Sequence, residues 1–486
     1  MYIKNEDTIC APATVPGTGA ISVIRVSGPE ALNIADKVIS CRKDTISEAP
    51  GYTIKFGNIY DASGAVVDEV LVSIFRAPHS YTGENSVEIS CHASSYIVSS
   101  VMDLLYAAGC RAAEPGEFTQ RAFLNGKMDL AQAEAVADVI ASQNAAAHRI
   151  AFKQMKGGFS SELKGMRSEL LELVSLMELE LDFSEEEVEF ADRTRLNELL
   201  AALIAHVSRL IDSFKLGNAI KNGVPVAIAG ATNTGKSTLL NALLGEDRAI
   251  VSDVHGTTRD TVEETLNIDG VLFRFIDTAG LRETDEVVEK IGIERTFKKI
   301  CEASIVLGMV DLSRDFDSTS ETVTEIIEKV DFSSQKLIFL LNKTDICEVN
   351  KNVNTVNFIV SSLNNKGIKS ELISQVENIA DYAPIIPISA KTGSGIENLR
   401  SILASSQRDL LADSDTTLVT NQRHVQALTD ARTSLLRAQE GLDLNIPTEL
   451  ISQDIRETIY HLGSIVGEIS ADEVLGNIFK NFCIGK

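Results

Sequence analysis

The sequence predicts a mixed α/β and α protein: an N-terminal α+β domain, a helical domain that is discontinuous along the chain, and a phosphate-loop α/β domain inserted into it. Short strand-like runs alternate with turns up to about residue 118, as an α+β domain requires. Apolar residues then recur at helical spacing through residues 163–210 and again from residue 425, the mark of long amphipathic helices. Between those stretches, a β-rich run leads into a glycine-rich loop and a helix, the arrangement that cradles phosphate. The 486 residues suit about three domains with ample cores.

Taken in order, residues 20–26, 52–60, 66–75 and 87–91 read as strands, and residues 30–39 and 94–108 as helices. Pro115-Gly116-Glu117 punctuates the chain. Asp129-Leu130-Ala131-Gln132 is a capping box opening an Ala-rich helix, with Leu130, Ala133, Val136, Ala137 and Ile140 expected on its buried face. Leu163, Met166, Leu170, Val174 and Met177 stripe one long helix, and Leu196, Leu200, Leu203, Val207 and Leu210 another. The acidic run Glu185-Glu186-Glu187-Val188-Glu189 between them reads as solvated surface. Val425, Leu428 and Leu435, then Ile451, Ile455, Leu462 and Val466, mark further helices. Fewer than about ninety residues are too few for an independent bundle, so these helices are expected to complete the earlier one. The expected division is 1–118, 119–219, 220–406 and 407–486.

The central stretch carries the chemistry. Gly230-Ala231-Thr232-Asn233-Thr234-Gly235-Lys236-Ser237 fits GxxxxGK[ST], and Thr238 continues into a helix. In such a loop backbone N–H groups wrap phosphates, Lys236 reaches the β/γ oxygens and the Ser237 hydroxyl ligates Mg²⁺. Asp269-Gly270 turns a hairpin whose second strand delivers Asp277-Thr278-Ala279-Gly280. Asp277 is expected to hold Mg²⁺ through water and the Gly280 N–H to sense the γ-phosphate. A buried strand then ends in Asn342-Lys343-Thr344-Asp345. A carboxylate there accepts parallel hydrogen bonds from the guanine N1–H and amine, a donor pair that adenine lacks, so the expected base is guanine. Ser389-Ala390-Lys391 backs the guanine carbonyl. In this order the motifs resemble a Ras-like GTPase domain. Signalling GTPases place Gln after the Asp-x-x-Gly turn to orient water, but here Leu281 follows. Asn233 and Ser252-Asp253-Val254-His255-Gly256-Thr257-Thr258 are candidates to hold a monovalent cation where an arginine finger would otherwise stand, with Thr258 as the second Mg²⁺ hydroxyl.

Composition bounds the partners. Hydrophobic content of 44% and charged content of 23% are those of an ordinary globular protein. A net charge of −24 repels phosphate backbones, so a nucleic-acid substrate needs local basic patches or a basic partner. The seven cysteines lack CxxC pairing, which argues for a reducing compartment and against structural zinc. With no apolar run of membrane-spanning length and with Lys4, Glu6 and Asp7 near the start, the chain is expected to be cytoplasmic and free of membrane partners.

The whole layout is similar to the tRNA-modifying GTPase family called MnmE or TrmE. The resemblance runs essentially end to end. It rests on Pro115-Gly116-Glu117-Phe118-Thr119, Arg121-Ala122-Phe123-Leu124-Asn125-Gly126-Lys127, Asp129-Leu130-Ala131-Gln132-Ala133-Glu134-Ala135, Gly256-Thr257-Thr258-Arg259-Asp260, Ile291-Gly292-Ile293-Glu294-Arg295 and the terminal Phe482-Cys483-Ile484-Gly485-Lys486. It implies a homodimer formed through the N-terminal domains and a complex with the flavoprotein MnmG (GidA), which carries FAD. It further implies that the complex adds an aminomethyl or carboxymethylaminomethyl group at carbon 5 of the tRNA wobble uridine, with a tetrahydrofolate one-carbon donor.

The resemblance places Arg25, Glu88, Lys127 and Lys486 around the folate, assigns K⁺ to Asn233, Ser252, Val254 and Thr257, and gives Glu289 a water-positioning role. Glu289 also reads as one exposed acid in a run of them. Cys483 stands between two readings, a nucleophile toward the pyrimidine ring and a buried inert thiol. The chain departs from the family pattern at Thr232, usually Pro, and at His92-Ala93-Ser94, commonly His-Gly-Gly. A regulatory GTPase switch acting on ribosome assembly or another partner, with no modification chemistry of its own, is the alternative.

Overall fold

The computed structural model describes residues 7–41, 44–182, 193–245, 264–276, 301–347, 353–372, 382–407, 417–468, 475, 478–479, 482 and 485. The acidic run at 185–189 lies outside them, as do Ser252 to Thr258, Asp277 to Gly280, Glu289, Cys483 and Lys486. The chain divides into two compact units: residues 1–141, 151–211 and 422–486 form one, and residues 142–150 and 212–421 the other.

The first unit contains a sheet and a set of helices. Strands β1 (Ile9–Pro12), β2 (Ile21–Ser27), β3 (Ile39–Cys41), β4 (Thr53–Tyr60), β5 (Val66–Phe75), β6 (Ser86–His92) and β7 (Arg111–Ala112) lie in the order β3-β4-β5-β6-β2-β1-β7. All neighbours are antiparallel except β1 and β7. Helices α1 (Ala31–Val38) and α2 (Ser95–Ala108) share a buried core with one sheet face, where Ile24, Val26, Val72, Ile74, Val87 and Ile89 meet Ile34, Ala35, Val101 and Leu105. Alternation along the strands sends Arg25 and Glu88 to the other face. The register also puts Phe56 and Leu71 on that face, and both are exposed.

Helix α3 (Glu117–Leu124) leads to α4 (Leu130–Ala141), α5 (Ala145–Met155), α6 (Gly158–Asp182) and α7 (Arg193–Asp212). The capping box forms as a reciprocal pair: Gln132 N donates to Asp129 Oδ1 at 3.0 Å, and Asp129 N donates to Gln132 Oε1 at 2.9 Å. The expected α4 face needs correction. Ile140 is exposed, Val136 and Ala137 are half-buried, and Ala131, Glu134 and Ala135 are buried instead. A carboxylate occupies that face because Arg423 and His424 neutralise it, which periodicity alone does not reveal. The predicted stripes of α6 and α7 are buried throughout.

The second unit begins with a short helix, α8 (Phe214–Asn222). Its sheet is built from β8 (Val224–Ala229), β9 (Glu264–Ile268), β10 (Val271–Phe275), β11 (Ile305–Asp311), β12 (Lys336–Asn342), β13 (Lys369–Leu372) and β14 (Tyr382–Pro387), in the order β13-β14-β12-β11-β8-β10-β9. Pairing is parallel except in the β9–β10 hairpin. Asp269 and Gly270 at its turn both have positive φ, 51° and 85°, as a type I′ turn demands. Every residue of β11 is buried, because helices cover both sheet faces. Helices α9 (Lys236–Leu244) and α12 (Ile396–Ser405) line one face, and α10 (Phe316–Lys329) and α11 (Val353–Asn365) the other.

Back in the first unit, α13 (Gln422–Asp443) and α14 (Thr448–Val466) close the helical layer. Arg423 donates to Glu134 of α4, and Gln439 bonds Asn197 of α7 at 3.1 Å. Chain segments more than two hundred residues apart thereby share one core.

Candidate functional site

In the second unit, β8, β11, β12 and β14 bring their carboxyl ends together, where ligands bind in open parallel sheets. The loop after β8 turns sharply into α9. Gly235 has φ 98°, and a Cβ there would stand 2.5 Å from the Asn342 side-chain nitrogen, so this position accepts glycine alone. Asn233 is left-handed at φ 59°, and it is exposed together with Thr232 and Thr238. Thr234 is buried, its hydroxyl donating to Ala231 O at 2.9 Å. Lys236 Nζ donates to Gly230 O at 2.9 Å and Ala231 O at 2.8 Å. Burial, followed by the nearby Arg314 charge, holds its ammonium below the ordinary lysine range.

The turn after β12 is bolted to that loop. Asn342 is buried, and its amide donates to Thr234 O at 2.7 Å while accepting from Ala390 N at 2.9 Å. Its side chain thus ties the phosphate loop to the loop after β14. Lys343, left-handed at φ 71°, places its ammonium 2.7 Å from Asp311 Oδ2. Burial would raise the Asp311 carboxyl, but Lys343 and Ser313 outweigh it and hold the group below its usual range. Thr344 Oγ1 donates to Ile388 O at 3.0 Å. Ser389, fully buried, donates to Asp345 Oδ1 at 2.8 Å, which orients the carboxylate, and Lys391 is exposed beside it. The structure thus gathers Asn233 to Thr238, Asn342 to Asp345 and Ser389 to Lys391. Asp311 and Arg314 join them without having been singled out from the sequence. A strand-ending Asp three residues before an Arg was the one available signal.

In the first unit, Arg25 of β2 sits opposite Glu88 of β6 in register. Its Nε and Nη2 donate to Glu88 Oε1 at 3.0 and 2.8 Å, and Nη1 donates to Gly485 O at 3.3 Å. The guanidinium lies 5.1 Å from the Tyr81 ring centroid and 5.6 Å from that of Phe118, both within cation–π range. Tyr81 is pinned through its hydroxyl to Thr119 at 2.8 Å, and burial pushes its phenol up. Gly485 meets β1 closely: at φ 96°, a Cβ there would stand 2.3 Å from Pro12 O. Lys127 is exposed and donates to Pro78 O at 3.0 Å, in the same β5–β6 connection that carries Tyr81. Tyr81 and Phe118 escape a sequence reading because neither belongs to a charged motif.

Next to this pocket lies a dense ion network. Arg121 is buried and bonds Asp7, Glu84 and Glu117, and Arg111 bonds Asp7 and Glu117. Burial would raise Glu117, yet these arginines hold it below the usual range. The Phe479 and Phe482 rings stack 5.3 Å apart, and Phe479 packs with Leu130 and Ala133. Among the described residues, no group of three or more His, Cys, Asp or Glu is arranged to hold a metal, and no helix is long and apolar enough to cross a membrane.

Comparison with known proteins gives a consistent assignment. A family model described as the MnmE helical domain matches residues 130–483, and one described as the GTP-binding protein TrmE N-terminus matches residues 8–127. The tRNA modification GTPase MnmE of Bacteroides thetaiotaomicron is 52% identical over 485 residues, covering 99% of this chain and 100% of that one. The protein of the same name from Parabacteroides distasonis is 50% identical over 483 residues, and that from Flavobacterium johnsoniae 49% over 484, each covering 99% of this chain and 100% of the other. With this identity along its whole length, and with the phosphate loop and guanine-reading turn assembled in one site, the chain belongs to the MnmE (TrmE) family of tRNA modification GTPases.

Proposed function

We propose that the protein binds and hydrolyses GTP with Mg²⁺, and that this cycle drives modification of the tRNA wobble uridine at carbon 5. The observation that carries the nucleotide reading is Asn342. One buried side chain fixes the distance between the phosphate loop and the Ser389–Asp345 pair, so a guanine nucleotide engages both ends of one rigid site. Lys236 serves the β- and γ-phosphates, Ser237, Thr258 and Asp277 serve Mg²⁺, and Asp345 reads guanine. With Leu281 where signalling GTPases have Gln, Asn233, Ser252, Val254 and Thr257 hold K⁺ against the phosphates, and Glu289 positions water.

The Arg25 pocket is the folate site in this reading. A guanidinium between aromatic rings, with Glu88 and the Gly485 carbonyl beside it, suits a flat pterin with amide-like edges. Lys127 and Lys486 supply charge for the folate carboxylates. When bound, the folate supplies the one-carbon unit; the protein's residues orient it and exclude water. Cys483 lies in sequence between Phe482 and Gly485, which touch this region, and we assign it to the modification chemistry. The exposed apolar residues Ile54, Phe56 and Leu71 on the same open sheet face support a homodimer formed through the N-terminal domain. MnmG is the expected flavoprotein partner.

Purified protein should hydrolyse GTP and not ATP, faster in K⁺ than in Na⁺ at equal ionic strength, and Asn233→Ala should erase the cation difference. Equal rates for wild type in both salts would remove the potassium assignment, and equal hydrolysis of ATP would remove the guanine reading.

A further inference from the structure

Arg314 lies beside the phosphate loop and has no part in the reading above. It follows the end of β11, and its Nη2 donates to the carbonyl of Thr232. Lys236 holds the carbonyls just before it, those of Gly230 and Ala231. Consecutive carbonyls of one loop are therefore gripped by two cations, one from the helix that the loop opens and one from the neighbouring strand. Asp311 offsets this charge only in part. Its Oδ2 is 3.8 Å from Arg314 Nε but 2.7 Å from Lys343 Nζ, so the shorter pairing goes to the lysine. The Arg314 charge already disfavours the Lys236 ammonium. Two crowded cations are stabilised by an anion that carries several charges and touches both, which is the chemistry of a polyphosphate. The Arg314 side chain is 31% exposed, so it is free to exchange a carbonyl for a phosphate oxygen.

We propose that Arg314 is a second phosphate-binding cation of this GTPase, moving from the Thr232 carbonyl onto the terminal phosphoryl group as charge builds there during hydrolysis. The inference rests on the GTPase reading and goes beyond it. In the reaction the water oxygen bonds to the terminal phosphorus, and the bond to the β–γ bridging oxygen breaks, its electron pair staying on GDP. The water's proton leaves with inorganic phosphate. Arg314 stays protonated throughout and acts on charge alone, as an arginine finger does. A guanidinium suits this task because it spans two oxygens at once.

The test uses the full-length protein with Mg²⁺ in potassium buffer and measures affinity for fluorescent GDP with and without aluminium fluoride, which mimics the phosphoryl group in transfer. For Arg314→Ala, GDP affinity should stay within about twofold while affinity for the GDP–aluminium fluoride complex falls roughly ten- to hundredfold. Arg314→Lys should recover part of that loss. A loss equal for both ligands would make Arg314 a structural clamp on the loop and overturn the proposal, as would no loss for either. Failure of the wild type to bind any guanine nucleotide would instead overturn the GTPase reading beneath it. Thermal melting of both variants separates these outcomes from misfolding.

Discussion

Asp345 owes its orientation to Ser389, whose hydroxyl donates to one carboxylate oxygen at 2.8 Å. That leaves the other oxygen and the remaining lone pairs for a base. Replacing Asp345 with Asn presents a donor to the guanine amine, so GTP affinity should fall by about 3 kcal/mol, on the order of a hundredfold, while xanthine nucleotides gain. Competition binding with GTP and XTP reads this directly, and an unchanged base preference would count against the assignment. Glu134 makes a different point at the same scale. Burial alone would raise its carboxyl, but His424 Nε2 at 2.7 Å and Arg423 at 2.9 Å bring it from 4.5 down to about 2. A depressed carboxyl contributes stability that is fully present above its unfolded pKa and is lost as pH falls through the folded one. Glu134→Gln should therefore cost roughly 3 kcal/mol at pH 7, and the gap to wild type should close as pH drops from ~4.5 toward 2. Urea melts at several pH values would show it; a gap independent of pH would mean the ion pair is not the cause.

At the level of elements, stability at α4 begins with its cap. Asp129 Oδ1 accepts from both Gln132 N and Ser160 Oγ, and Lys164 lies 3.3 Å from Oδ2. Asp129→Ala should destabilise the protein by about 1–2 kcal/mol in chemical denaturation, and a change near zero would show that water replaces the cap. This box was legible because its chemistry is local, as were the Asp269-Gly270 hairpin and the stripes of α6 and α7, where side chains repeat with the backbone period. The strands β3 and β7 were not legible. They span three and two residues and exist through pairing with β4 and β1, so no local run announces them. The phosphate loop could be read because its residues are consecutive. The Arg25 contact to Gly485 could not be read from spacing, since 460 positions separate the partners and only the fold joins them. Glu134 misled the periodicity because a charge on a buried face looks polar until its partners, 289 and 290 residues away, are seen.

For the whole molecule, the chain's end returns to its beginning. The residues flanking Cys483 that are described, Phe482 and Gly485, pack near Phe479 and under Arg25, so the last turn of sequence helps to form the N-terminal pocket. A net charge of −24 makes non-specific attraction to tRNA weak, which places recognition on local contacts or on a basic partner. Coupling between the GTPase site in one unit and the folate pocket in the other is the central claim of this account. Its most direct measurement is mass spectrometry of tRNA nucleosides from a strain lacking the gene, complemented with wild type, Lys236→Ala or Arg25→Ala. The account predicts that the modified wobble uridine disappears in the null strain, returns with wild type, and fails to return with either variant. Retention of the modification in the null strain, or full restoration by Lys236→Ala, would contradict it.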